Sequence, residues 1–446
     1  MNKVFKYTTI FTLGVLIIFF ALVVSSKIPH SAIEENLKES AEFYKTKAGV
    51  YRIKNKKIYS YIHYYADTRK LNIMNYIDSE KPIESTLWAK YYQVIKKDTN
   101  TDFIDAVENH RDPNVNYLRY WNGCMLFLRP LLTIFNMEQI YLLNKILLSM
   151  LSLVLLVVLF KKSKKLAFIF LLALILVSSW YVTFCIEYSV MFYVMIITSM
   201  IAMQIDSNKK NKSKDEVDEK LSMLFLITGI VTTFFDFLTT ELLTIFVPLL
   251  FILIIRKEQG RLDRLKDTIK FVAKVCILWF IGYVGMWIAK WILSSLILHI
   301  NAFEYVKDNV LLRINGLQGL SSHEVLYGNV VKKNFFAIPI LDIIKENFYK
   351  WEVKLAIIVV IIILLILINW KELKNKKFLL IIAFIGITPY IRYLILANHS
   401  IRHAMFTFRD QIITIMCFLY IIIDCLNYKL LLKKIKLKKS LKAIKS

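Results

Sequence analysis

The sequence predicts an all-α polytopic membrane protein with about ten transmembrane helices. It also predicts a large extracytoplasmic region after the first helix and a second one between helices seven and eight. Three observations carry this. Hydrophobic residues make up 57% of the 446 positions, more than a soluble fold of this length needs to bury. They collect in windows of about 20 residues, the length that crosses a bilayer as a helix. The basic residues behind the formal charge of +25 lie in short connectors between those windows: "KKSKK" (161–165), "KKNKSK" (209–214), "KELKNKK" (371–377) and the tail "LLKKIKLKK". Lysine and arginine confined to alternate connectors follow the positive-inside rule. The charge is therefore a topological signal, and nucleic acid is not an expected partner.

Taken in order, the apolar windows fall at 8–26, 139–160, 166–182, 187–205, 221–236, 238–255, 270–298, 353–370, 378–396 and 411–427. The first follows Lys3 and Lys6, is long for a cleavable signal and lacks a small-residue cleavage site, so it reads as an uncleaved span. The division that follows is a first helix within 1–26, an outer region 27–138, helices two to seven in 139–298, a second outer region 299–352, helices eight to ten in 353–427, and a basic tail 428–446. With the amino terminus inside, every strongly basic connector and the carboxyl terminus fall on the cytoplasmic side.

The region 27–138 has helical patterning in "SAIEENLKESAEFY" and "STLWAKYYQVIK" and turn signals at "DTNTD" and "HRDPN". The region 299–352 has a glycine-bearing loop, "INGLQGLSSHEVLYGN", and then "FFAIPILDIIKENFYKW", which suits a helix lying in the interface. No inner connector is large enough for a site of its own, so any chemistry belongs outside or in the membrane. All seven histidines, His30, His63, His110, His299, His323, His399 and His403, fall outside, either for function or because the inner connectors are short and lysine-rich. Of the five cysteines, Cys124 and Cys185 are the two placed to pair on the outer side. The chain has no HExxH, CxxC, phosphate-cradling glycine loop or Ser/His/Asp order.

Ionisable groups at the outer ends of spans are the candidate chemistry. A guanidinium at hydrocarbon depth costs roughly 3 kcal/mol or more without a partner, which singles out Arg129 in "NYLRYWNGCMLFLRP". Arg119, Arg129, Arg392 and Arg409 all lie on one side, with Arg402 beside them in the last outer loop, and planar guanidinium forks suit phosphate oxygens. The alternative is pairing with local carboxylates and lipid phosphates. Asp236 and Glu241 sit at the mouth of the hairpin "FFDFLTTELL", where they either orient a substrate or a divalent cation or, for Asp236, cap the next helix. Asp67, four residues after His63 and two before Arg69, is either a general base or metal ligand or a salt-bridged structural group. In "HSIRH", His399 and His403 are spaced to share one helix face. Candidate substrate contacts are His63, Trp121, Asn122, His399 and His403.

The runs "NYLRYWNGCMLFLRPLL", "YADTRKLNI", "FFDFLTTELLTIFVPLL" and "ANHSIRHAMFTFRDQIIT" resemble an uncharacterised family of multi-span membrane proteins of Gram-positive bacteria. More coarsely, the layout is similar to that of the GT-C class of membrane glycosyltransferases. The paired acidic motif that this class carries directly after its first span is absent, and Glu34 and Glu35 come several residues later. The resemblance implies a protein of the bacterial cell membrane that transfers a sugar or related group from a polyprenyl-phosphate carrier to a cell-envelope acceptor on the outer face. Asp67 would be its base, Asp236 and Glu241 its acceptor- or cation-orienting groups, and the arginines its phosphate ligands. The competing expectations are a transporter or flippase of a lipid-linked envelope precursor, or a non-catalytic envelope assembly protein. A transporter should show internal repeats and polar breaks halfway through paired spans, whereas polar groups here gather at outer ends.

Overall fold

Hydrophobic windows and caps become helices as the pattern requires. The computed structural model describes residues 3–52, 61–94, 98–207, 213–314 and 376–425, with positions 359 and 362. It is mostly helical. After α1 (Lys3–Ser26), an outer region holds α2 (Glu34–Lys45), a two-stranded antiparallel ribbon of β1 (Val50–Arg52) and β2 (Tyr61–His63), α3 (Tyr65–Asn75), α4 (Pro82–Trp88), α5 (Thr99–Glu108) and α6 (Met125–Leu131). Long helices follow: α7 (Met137–Lys162), α8 (Lys164–Leu176), α9 (Ile186–Ser207), α10 (Lys214–Phe235), α11 (Leu243–Glu258) and α12 (Leu265–Leu298). Then come α13 (Ala302–Ile314), α14 (Phe378–Ile395), the short α15 (Ala397–Arg402) and α16 (Gln411–Cys425).

Starts and reversals are set locally. Asn136 and Gln139 form a reciprocal capping box at the start of α7, each side chain accepting from the other's backbone N–H. Ser163 ends α7 with extended backbone and its hydroxyl caps α8 through the Leu166 N–H (3.0 Å), so the polar "KKSKK" reverses the chain. Ser213 caps α10 in the same way.

Five described helices, α1, α7, α9, α12 and α14, are long and apolar enough to cross a membrane. The other windows come out differently. Helix α8 has 13 residues, α11 has 16 and α16 has 15, and α10 spends its first turns on Lys214, Asp215, Glu216, Asp218 and Glu219. The expected sixth helix does not begin at 238, because residues 236–242 form a turn. The eighth window, the glycine-bearing loop and the interfacial segment lie outside the described residues.

Ion pairs gather alternate helix ends on one face. Asp206 at the end of α9 accepts from Arg256 of α11 and from Arg261, each at 2.7 Å, and Arg256 also reaches Asp218 of α10 at 2.6 Å. Glu219 accepts from Lys274 of α12 and Tyr7 of α1. Asp424 of α16 meets Lys165 of α8 and Lys376 just before α14. These contacts place the amino ends of α1, α8, α10, α12 and α14 beside the carboxyl ends of α9, α11 and α16. Helices that share ends in this sense run alternately up and down.

Small residues bring three helices close. A Cβ on Gly229 of α10 or Gly282 of α12 would overlap the other helix's backbone at Trp279 or Leu226, and one on Gly285 would press into the Phe11 ring of α1. Gly229→Val is expected to separate α10 from α12 and to lower the midpoint of thermal unfolding in detergent by several degrees, whereas Gly260→Val, at a position with open space around it, should mainly strain its own positive-φ turn. At the opposite end, the outer region is stitched to the helices. Ser26 bonds Thr86, Ser25 donates to the Met125 carbonyl, and the Gly123 N–H donates to the Phe234 carbonyl. The Trp121 indole donates to the Met286 carbonyl and the Lys290 amine to the Leu87 carbonyl. Exposed apolar side chains crowd α1, α7 and α12, while α9 is wrapped on nearly all sides.

Candidate functional site

The candidate site forms where the outer region meets the carboxyl end of α10 and the amino end of α9. A polar cavity of about 330 Å³ is lined by Tyr65, Ala66 and Arg69 of α3, Tyr117, Arg119 and Tyr120, Glu187 and Tyr188 of α9, Phe237 and Thr239, Arg313 of α13, and His399, His403 and Phe406. Beside it runs an apolar groove of about 740 Å³, walled by α12 through Trp279, Phe280, Tyr283, Trp287 and Trp291 and by α14 through Ile391 and Ile395. Arg119, Tyr120 and Arg313 line both. A long apolar chain lying in the groove would therefore meet guanidinium groups at the point where its polar head enters the cavity.

The cation wall rests on aromatic rings. The Arg119 guanidinium lies 4.1 Å from the Tyr117 ring centroid and 5.1 Å from that of Tyr120. Arg69 stacks over Tyr91 at 4.5 Å while donating to the hydroxyl of that residue at 2.7 Å. Aromatic faces hold such groups without neutralising them. Glu187 is the carboxylate of the wall. It is nearly fully buried, pairs with Lys70 and accepts from the Phe237 N–H.

The groups expected from sequence divide sharply. Arg119, His399 and His403 line the cavity, the two histidines from one face of α15 and the residue after it, with ring centroids 4.6 Å apart. Asp67 does not. It is wholly buried and accepts from the Tyr141 hydroxyl and from the N–H groups of Ile186 and Glu187, with Lys70 at 3.8 Å. Two free N–H groups at the start of α9 take both of its oxygens, so Asp67 stands outside the cavity lining as a hydrogen-bonded carboxylate beside Lys70. Burial raises its pKa against the opposing pull of Lys70 and those hydrogen bonds.

The remaining arginines do not line the polar cavity. Arg129 is fully buried and donates to the carbonyls of Ile28 (2.6 and 3.1 Å), Met74 (2.7 Å) and Ile77 (3.4 Å). It closes the carboxyl end of α3 and the exit of α1, and lines neither cavity. Burial lowers its pKa to about 10, so it stays charged at neutral pH. Arg392 grips Glu241 at 2.7 and 3.3 Å and the Leu238 carbonyl at 2.7 Å. The two residues line the apolar groove as a pair. Asp236 accepts from the N–H groups of Leu238 and Thr239, both 2.8 Å, and from the Thr239 hydroxyl. It thereby holds a tight turn in which Leu238 takes φ 65°, and it does not cap α11. Arg409 is buried against the Tyr188 and Phe408 rings, behind the cavity wall.

The candidate substrate contacts His63, Trp121 and Asn122 also lie outside the cavity lining. Trp121 is a core residue bonded to α12, and Asn122 is a buried left-handed turn residue with φ 56°. His63 lies edge-on to Tyr65 and Tyr188, outside the lining. Burial, and after it Arg409, pushes its pKa from 6.5 down to about 3. The folded state thus binds fewer protons at this position than the unfolded chain, and stability is present above pH 6.5 and lost as the pH falls from there toward 3. His63→Phe should flatten that acid limb in thermal unfolding measured across pH. Cys124 and Cys185 are both free. Among the described residues no three His, Cys, Asp or Glu side chains meet as a metal-holding group.

Sequence reasoning missed Glu187, Lys70 and Arg313 as a set. Glu187 opens the span 187–205 after the outer connector "WYVTFCIEY", the same kind of position that drew attention to Asp236. Comparison of the chain with known protein families, curated proteins and solved structures finds no match.

Proposed function

We propose that the chain is a membrane glycosyltransferase-like protein of the bacterial cell membrane, similar in layout to the GT-C class. It crosses ten times with both termini cytoplasmic and moves a sugar or related group from a polyprenyl-phosphate carrier to an envelope acceptor on the outer face. The observation that carries this reading is the sharing of Arg119 and Arg313 between the apolar groove and the polar cavity. A polyprenyl tail suits the groove and its phosphate suits the shared guanidiniums. Glu187 takes the proton of the acceptor hydroxyl as that oxygen bonds the anomeric carbon. The bond from that carbon to the phosphate oxygen breaks, and Arg119 and Arg313 stabilise the charge left on the departing phosphate.

The ten-span orientation is tested by reagents that cannot cross the membrane. Thr133→Cys, on the outer region, should be labelled in intact cells, and Lys257→Cys, at the ion-paired face, should not. Reversed labelling would remove an outer-face reaction altogether. The activity test uses purified protein in liposomes given radiolabelled polyprenyl-phosphate sugars and a crude envelope acceptor, with product and carrier binding measured separately. Labelled product supports transfer, and Arg119→Gln should weaken carrier binding at least about tenfold. Carrier that crosses the bilayer with no product from any acceptor would assign the chain to lipid-linked precursor transport.

A further inference from the structure

Three guanidinium groups, those of Arg69, Arg119 and Arg313, line the polar cavity. Of the nearby carboxylates, Glu187 and Asp67 share Lys70, and Glu241 and Asp410 share Arg392. That leaves Arg69, Arg119 and Arg313 lining the cavity with no carboxylate partner among the described residues. Arg409, fully buried behind Tyr188, adds a fourth cation, and its Nε and Nη1 find no hydrogen-bond acceptor among the described residues. A sugar phosphodiester carries a single negative charge. Its phosphate belongs at the junction, where Arg119 and Arg313 border the groove. Arg69 lines the polar cavity alone and takes no part in the groove. It stacks at 5.8 Å on the same Tyr117 ring that carries Arg119 at 4.1 Å, so the two guanidiniums are near neighbours, one at the junction and one further in.

Resting on the carrier reading above, we propose that this cavity binds a second anionic group beside the carrier phosphate, with Arg69 as its ligand. Two sources share that chemistry: the second phosphate of a diphosphate-linked carrier, and a phosphate on the acceptor. Either one would place a phosphate against Arg69, the guanidinium that lines the cavity beyond the junction.

Equilibrium binding to the purified full-length protein in nanodiscs tests this, with farnesyl phosphate, farnesyl diphosphate and glycerol 3-phosphate as probes. If the carrier supplies the second charge, the diphosphate binds at least about tenfold tighter than the monophosphate, and Arg69→Gln abolishes the difference. If the acceptor supplies it, glycerol 3-phosphate binds in the presence of farnesyl phosphate and Arg69→Gln weakens it by a similar factor. Because Arg69 also anchors Tyr91, Arg69→Lys serves as the charge-keeping control and should retain part of the effect. In wild type the same preference should decline as salt rises. Binding of farnesyl phosphate with no gain from a second phosphate and no glycerol 3-phosphate bound would overturn the proposal. So would an equal loss for all three probes in Arg69→Gln. Failure of both farnesyl probes, with glycerol 3-phosphate still bound through Arg69, would remove the carrier reading and keep the anion site.

Discussion

Glu187→Gln is expected to lower transfer at least about a hundredfold while carrier binding stays within about twofold. The amide keeps the shape of the side chain and its contact with the Phe237 N–H but cannot take a proton from an acceptor hydroxyl. Lys70 loses one partner and retains Asp67 at 3.8 Å, so the fold should persist with reduced stability. Asp67→Asn makes the informative contrast. The change sits among the Tyr141 hydroxyl and two helix N–H donors, and an amide nitrogen facing any of them would lose a hydrogen bond. Its principal effect should be on thermal unfolding in detergent, with activity scaling with the folded fraction. If Asp67→Asn folds normally with transfer abolished while Glu187→Gln remains active, the base assignment returns to Asp67.

Arg129→Leu should be the most damaging substitution for folding, costing about 3–5 kcal/mol. The guanidinium donates to the carbonyls of Ile28, Met74 and Ile77 in a fully buried position. Leucine would remove this donor from all three, leaving only the Met74 carbonyl with a backbone partner among the described residues, the Ile77 N–H, and would loosen α3 from the exit of α1. Arg129→Lys should recover part of the loss, because a single ammonium reaches fewer of the carbonyls than a planar fork does. The measure is the yield of monodisperse protein and its unfolding midpoint. Normal yield with specific loss of carrier binding would show that Arg129 serves the head group after all.

The helices were legible because their signals are local and redundant. Each apolar window is long, and the lysine connectors repeat the same orientation. Where windows were misjudged, polar caps decided the outcome. Asp236 bends residues 236–239 into a turn and delays α11 to Leu243. The site was only partly readable for a different reason. The sequence marks which ionisable groups are costly, but not which partner compensates each of them. Arg119 and Arg129 lie ten residues apart in one polar run, yet one stacks on tyrosines in a cavity and the other is consumed by carbonyls about 50 and 100 residues away. Asp67 and Glu187 are 120 positions apart and become neighbours when Asp67 accepts the Glu187 N–H. Nothing in their local spacing records that the first caps the helix on which the second is displayed.

The clasp between the outer region and α12 also sets a timetable for biogenesis. The Leu87 carbonyl waits for Lys290, 203 residues later, and the Trp121 indole for Met286, 165 residues later. At about 5–20 residues per second, the translating ribosome needs roughly 10 to 40 s to supply these partners. Throughout that interval α4 and Trp121 of the nascent segment lack their final contacts. Its protection from proteases during synthesis must come from the neighbours made earlier, α1 through Ser25 and Ser26, and afterwards α7 and α9 through Asp67. Nascent chains halted between α9 and α12 would therefore expose α4 to cleavage while α3 is already secured.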